Sequence, residues 1–183
     1  MKIGALKEIT SGEQRVALTP DSAKQLQKLG HKCLIEKNAG LASGFSDDLY
    51  KAAGVDILST AEALTKASDV IVKVRPPNEA EINRLSSSQT LISFFYPGAN
   101  QSLMKLANSK QASVIAMDMV PRISRAQKMD ALSSMATIAG YRAVIEAGNN
   151  FGRFFTGQMT AAGKVPGVDY YCAATPSNNG YLY

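Results

Sequence analysis

Histidine, tryptophan and cysteine are nearly missing from this chain, and their scarcity removes whole classes of chemistry. The 183 residues hold one histidine, His31, no tryptophan, and two cysteines, Cys33 and Cys172, far apart. One imidazole and two separated thiols give no ligand spacing for a metal, so no metal site is expected. Ser-His-Asp catalysis is poorly supported, because His31 sits in a strand-entry turn after Gly30 and no G-x-S-x-G elbow exists. Cys33, inside the apolar run CLIE, reads as a buried strand residue. The usual glycine fingerprint of a dinucleotide site, G-x-G-x-x-G, is absent. The nearest thing to a phosphate loop, from Gly157 to Gly163-Lys164, has five intervening residues where four are required, and Val165 stands in the Ser/Thr position.

Long apolar runs are missing as well. None approaches the ~18 residues that span a bilayer, and the opening MKIGALKEIT is too short and interrupted for a secretory signal. A cytoplasmic setting is therefore expected, and the NQS sequon at 100–102 reads as chance. Charge of one sign is also modest. The formal net charge of +5 comes from basic residues interleaved with acids, which reads as a solvated surface and not as a nucleic-acid stripe.

What is present is alternation. Apolar runs at 2–6, 33–36, 55–58, 69–74, 90–95 and 113–120 read as strands, and amphipathic segments of helical period lie between several of them. LTPDSAKQLQKLG opens with Thr19 as cap and Pro20 at the first helical position, and closes on Gly30. FSDDLYKAAG repeats the pattern from Ser46 to Gly54. STAEALTKA, PPNEAEINRL and NQSLMKLANS supply three more helices. This pattern implies an α/β layer fold with a largely parallel sheet, covered on both faces because VIVKV and TLISFF are apolar on both. Two helices, about 130–147 and 150–162 with a kink near Gly148, are expected next. The last stretch, with Pro166, Gly167, Pro176 and SNNG, reads as an irregular end.

Three stretches carry candidate chemistry at strand ends. GEQRVALTP places Arg15 between the first strand and the first helix. VKVRPP ends a strand on Arg75, and FFYPG ends the next on Tyr96. All three face the crevice where α/β sheets bind ligands. Strand ends also meet solvent, so polar residues belong there in any case, and both readings stay open. The fourth stretch, PRISRAQKMDALSS, sets Gln127, Asp130 and Ser133 at intervals of three behind Arg122. A capping box of Ser124 and Gln127, with Asp130 complementing the helix dipole, accounts for part of it. It leaves Arg122 at the positive end of a helix, and Asp130 and Ser133 on Gln127's face. Such a set offers donors and acceptors suited to a carboxamide and to ribose hydroxyls.

KEITSGEQRVALTP, VKVRPP, PRISRAQKMDALSS, AGYRAVIEA and FGRFFTGQMTAAGKVP together resemble the NAD(H)-binding component, the bacterial alpha subunit, of proton-translocating nicotinamide nucleotide transhydrogenases. The resemblance runs from residue 1 to about 166. It implies a doubly wound, flavodoxin-like, mostly parallel sheet in an α/β subdomain at 1–129. Crossover helices at 130–163 would follow, then an irregular tail at 164–183 where the second, Rossmann half is missing. It also implies that Arg122, Asp130 and Ser133 orient the nicotinamide carboxamide and that Gln127 lies at the ribose, with no catalytic general base. Arg15, Arg75 and Tyr96 remain a possible cleft. The implied reaction is hydride transfer from NADH to NADP, coupled to proton translocation. NADP(H) would be bound by a partner component, and a membrane component would hold the assembly on the cytoplasmic side of the inner membrane. The complete domain would be a homodimer, and this chain alone truncated and inactive. Alanine dehydrogenases share the N-terminal domain but carry a lysine and a histidine, both serving pyruvate, at the positions of Arg75 and Tyr96, which makes an amino-acid oxidoreductase the alternative. A non-catalytic interaction fragment is the other.

Overall fold

The structure, a computed structural model, describes residues 1–152 and 157–165. It divides into two compact units, Met1–Val120 and a second that begins at Pro121. In the first unit the strands are β1 (Lys2–Ala5), β2 (Lys32–Glu36), β3 (Asp56–Leu58), β4 (Val70–Val72), β5 (Thr90–Ser93) and β6 (Ser113–Ala116). The helices between them are α1 (Pro20–Lys28), α2 (Asp47–Ala52), α3 (Ala61–Ala67), α4 (Glu79–Arg84) and α5 (Gln101–Ser109). The strands form one sheet of order β3-β2-β1-β4-β5-β6, and all five pairings are parallel. With the short edge strand β3 set aside, the order is the flavodoxin-like 2-1-3-4-5, so the doubly wound α/β sheet is as expected.

Alternation within the strands fills two cores. Ala5, Cys33, Ile35 and Val72 join the cluster beneath α1 and α2 around fully buried Tyr50. Leu34, Ile71 and Leu91 join Leu64 of α3 on the other face. Ile35, Leu64 and Ile71 are fully buried, each contributing about 1.5–3 kcal/mol of burial. Gly4 allows α3 its close approach, because a Cβ there would collide with the Ser68 hydroxyl and the Leu64 side chain. The Tyr50 hydroxyl donates to the Leu18 carbonyl at 2.8 Å, and burial pushes its phenol up to about 12.

Helix starts follow local chemistry. Thr19 and Thr60 accept from Ser22 N–H and Ala63 N–H at 3.2 Å. Asn78 and Glu81 form a reciprocal capping box at 2.8 Å in each direction. β6 stops at Ala116, short of the expected 120, because the chain tightens into a 3-10 turn over Met117–Met119. The first unit accordingly ends at Val120, earlier than the expected boundary after 129.

The second unit differs more from expectation. Ser124–Met129 is a 3-10 segment, and α6 (Ala131–Asn150) runs through Gly148 without the expected break. A lone glycine weakens a helix but leaves its hydrogen-bond ladder possible. The second helix expected at 150–162 is not formed among the described residues. Phe151 leaves the helix with extended angles, and β7 (Gln158–Thr160) pairs antiparallel with β8 (Gly163–Val165). Gly163, at φ 123°, supplies the turn that the alanine pair before it concealed. Lys164 and Val165 belong to β8, whereas the irregular tail expected beyond them lies outside the described residues.

Candidate functional site

The strand order reverses between β1 and β4, and the chain segments leaving these two strands carry a dense ionic network. Glu8, just beyond β1, accepts Val74 N–H at 2.6 Å and Arg75 N–H at 3.3 Å, which joins the two strand ends. Lys73, at the end of β4, is buried. Its ammonium lies 2.6 Å from Glu81 and 3.9 Å from Glu8, with side-chain exposures of 1%, 7% and 3%. Burial pushes the Glu8 carboxyl up, against the opposing pull of the Val74 N–H and the Lys73 charge.

Above this triad, Glu13 gathers both arginines. Arg15 reaches it through Nε at 2.7 Å, Nη2 at 2.6 Å and its own backbone N–H at 3.0 Å, and Arg75 through Nε at 2.6 Å. The fork from Arg15 holds the Glu13 carboxyl down to about 2. Arg15 and Arg75 are therefore brought together, on a carboxylate whose side chain is 4% exposed. The terminal nitrogens of Arg75 have no hydrogen-bond partner among the described residues. A cleft of about 250 Å³ opens beside the network, lined by Lys7, Glu13, Arg15, Asn38 and Leu41.

Tyr96 stands at the end of β5 with φ 49°, a strained conformation for a bulky residue. Its ring stacks on Phe94 at 6.1 Å and is 45% exposed. Its backbone N–H and that of Phe95 both donate to Asp118, at 3.0 and 2.6 Å.

The second locus lies in the unit that starts at Pro121. Asp130 caps α6, its Oδ1 accepting Leu132 N–H and Ser133 N–H, both at 3.1 Å. Its Oδ2 accepts the Ser133 hydroxyl at 2.6 Å. That hydroxyl first, then the backbone N–H groups and the charge of Arg122, hold the Asp130 carboxyl below its ordinary range. The expected capping box of Ser124 and Gln127 does not form. The cap position of the 3-10 segment is Ile123 with no side-chain bond, because α6 begins later and takes Asp130 instead. Asp130 and Ser133 are thus in contact and serve their own helix. Arg122 and Gln127 are exposed, and their side chains make no hydrogen bond among the described residues.

The donor set of this loop fits a carboxamide in part. An ionised Asp130 is an acceptor for the amide NH2, with lone pairs beyond those its helix uses, and Arg122 is a free donor for the amide oxygen. Ser133 fits less well, because its proton is given to Asp130. Among the described residues no group of His, Cys, Asp and Glu could hold a metal ion.

Glu8, Glu13, Lys73, Glu81 and Asp118 were not singled out from sequence. Lys73 had a usable signal: a lysine inside VIVKV must pair if the strand is covered on both faces. Glu13 had Arg15 two residues on, but its second partner, Arg75, comes from a loop far along the chain.

A parallel sheet with its charged residues gathered at the switch point, followed by a loop and a carboxylate-capped helix, defines an α/β domain. The chain belongs to the alanine dehydrogenase/PNT N-terminal domain family, whose match covers residues 4–139. It is 70% identical over 166 residues to the NAD(P) transhydrogenase subunit alpha of Cereibacter sphaeroides, covering 91% of this chain and 32% of that one. A solved structure of transhydrogenase from Sinorhizobium meliloti superposes with a TM-score of 0.83 at 39% identity, over 91% of this chain and 50% of the other. An alanine dehydrogenase from Methanococcus maripaludis is more distant, at 33% identity over 92% of this chain and 45% of its own. The chain thus spans about a third of the length of the transhydrogenase subunit it matches at 70% identity.

Proposed function

We propose that this chain is the N-terminal part of an NAD(H)-binding transhydrogenase alpha subunit, and that its loop from Arg122 to Ser133 holds the nicotinamide end of the dinucleotide. One observation carries the reading: a carboxylate kept ionised at Asp130 shares a loop with an exposed guanidinium at Arg122 that makes no hydrogen bond among the described residues. Arg122 donates to the carboxamide oxygen and Asp130 accepts from its NH2. Ser133 orients Asp130 instead of touching the amide, and Gln127 lies at the ribose. NAD(H), when bound, supplies the hydride that passes to NADP on a partner component. The loop's work is placement, which needs no general base in this segment and suits a chain with one histidine.

The finer reading follows the same family. The partner components carry the NADP site and the proton path, and the complete domain works as a homodimer. The assembly is peripheral to the cytoplasmic face of the inner membrane, through those partners. No helix among the described residues is long and apolar enough to cross a membrane. Residues 131–165 lead toward a nucleotide-binding half.

The test uses a hybrid alpha subunit in which residues 1–152 of this chain replace their counterpart in the Cereibacter sphaeroides subunit. Arg122→Ala is expected to weaken NADH binding by about tenfold, the worth of one charge-assisted hydrogen bond. NADH fluorescence titration measures it, and an unchanged dissociation constant removes the assignment. This chain alone, without a glycine fingerprint, is expected to bind NADH weakly.

A further inference from the structure

We propose that Asp118 is a positioning residue for the loop that begins at Pro121. Its carboxylate pins the last turn of the sheet unit, the turn after which the loop carrying Arg122 begins. The inference rests on the nicotinamide reading of that loop.

Asp118 lies in the 3-10 turn Met117–Met119, directly after β6. Two consecutive amides, Phe95 N–H at 2.6 Å and Tyr96 N–H at 3.0 Å, converge on its carboxylate. Successive N–H groups, here one to each carboxylate oxygen, form a concave anion receptor. Here the anion is a side chain of the chain's own next segment.

The aim of these amides has a visible cost. Tyr96 adopts φ 49°, which a bulky side chain rarely accepts. The receptor is held from behind as well. Asn100 Nδ2 donates to the Phe95 carbonyl at 2.7 Å, and Ala99 N–H and Asn100 N–H donate to the Tyr96 carbonyl at 3.0 Å. The Phe95 ring is 2% exposed, packed in the core with Ile82 and Ala107. The receptor is therefore a rigid feature of the end of β5.

The segment it grips has few other hydrogen bonds. From Met117 to Val120 the other hydrogen bond among the described residues is internal, Val120 N–H to the Met117 carbonyl at 3.4 Å. Met119 is 66% exposed. One carboxylate is the hydrogen-bonded tie between this turn and the body of the sheet unit, and Arg122 follows Asp118 at a distance of four residues. Backbone strain at Tyr96 acquires a purpose on this account, since it builds the anchor.

The hybrid subunit described above tests the proposal in the assembled enzyme, with NADH as probe. Asp118→Ala is expected to raise the NADH dissociation constant about tenfold, as loss of an orienting partner does elsewhere. The KM for NADP should stay unchanged, a split that general destabilisation would not produce. Asp118→Asn keeps one acceptor oxygen and should give a smaller rise. It also stands in if the alanine variant does not fold. Wild-type NADH affinity in the asparagine variant and in any folded alanine variant overturns the anchor. If Arg122→Ala weakens binding while the Asp118 variants do not, the loop reading stands and the anchor alone falls. An Arg122→Ala variant with unchanged affinity overturns both.

Discussion

The carboxyl edge of the sheet and the loop before α6 both gather charged side chains, but they spend them in opposite ways. At the sheet edge, the side chains of Glu8, Glu13, Lys73 and Glu81 are buried, Lys73 paired with Glu81 and Glu8, Glu13 with Arg15 and Arg75, and Glu8 also taking backbone N–H groups. At the loop, Asp130 is satisfied by its own helix, whereas the Arg122 and Gln127 side chains are exposed and make no hydrogen bond among the described residues. A charge that is paired and buried is part of the scaffold, and removing one member strands the others. A charge left exposed beside an oriented carboxylate costs the fold nothing to keep and is available to a ligand.

Substitutions can break that contrast. The largest effect is expected from Lys73→Ala, which leaves Glu81 and Glu8 buried without a cation. A loss of about 3–5 kcal/mol in denaturant unfolding is anticipated. A loss below about 1 kcal/mol would show the triad to be wetter than its burial implies. Tyr50→Phe comes next, orphaning the Leu18 carbonyl for about 1–2 kcal/mol in the same assay. Gly148→Ala should then stabilise the second unit by about 0.5–1 kcal/mol, because α6 runs through that position. A destabilised variant would restore the break expected there. Smallest is Gln127→Ala, expected within about 0.5 kcal/mol of the parent. A larger change would mean that the loop is scaffold too.

Acid separates the regions in another way. The Glu13 carboxyl is depressed in the folded chain, to about 2. Its contribution to stability is therefore complete above the ordinary carboxylate range and is lost as pH falls from there toward 2. Glu13→Gln should flatten that limb of the stability profile, as followed by circular dichroism in an acid titration. An unchanged limb would mean that the two arginines do not depend on this carboxylate.

The sheet was legible because its signals are local and repeated. Apolar runs alternate with capped amphipathic segments, and Thr19, Pro20 and Gly30 mark α1 as their chemistry requires. Beyond 120 the signals compete. Ser124 and Gln127 have the spacing of a capping box, yet Asp130 wins the cap, because its carboxylate satisfies two N–H groups and a hydroxyl at once. Ala161 and Ala162 favour helix, but Gly163 and the β-branched Thr160 and Val165 favour the hairpin that forms. Arg15 and Arg75 were placed on one edge of the sheet by their positions at strand ends. The residue that unites them, Glu13, depends on the meeting of loops far apart in the chain.

The cap on α6 has a consequence for how the molecule would respond to its surroundings. A carboxylate held below its usual range by a hydroxyl and two amides carries the same charge at pH 6 as at pH 8. Under the proposed reading, a nucleotide gripped there would meet a full negative charge on Asp130 further into the acid range than a free carboxylate would offer.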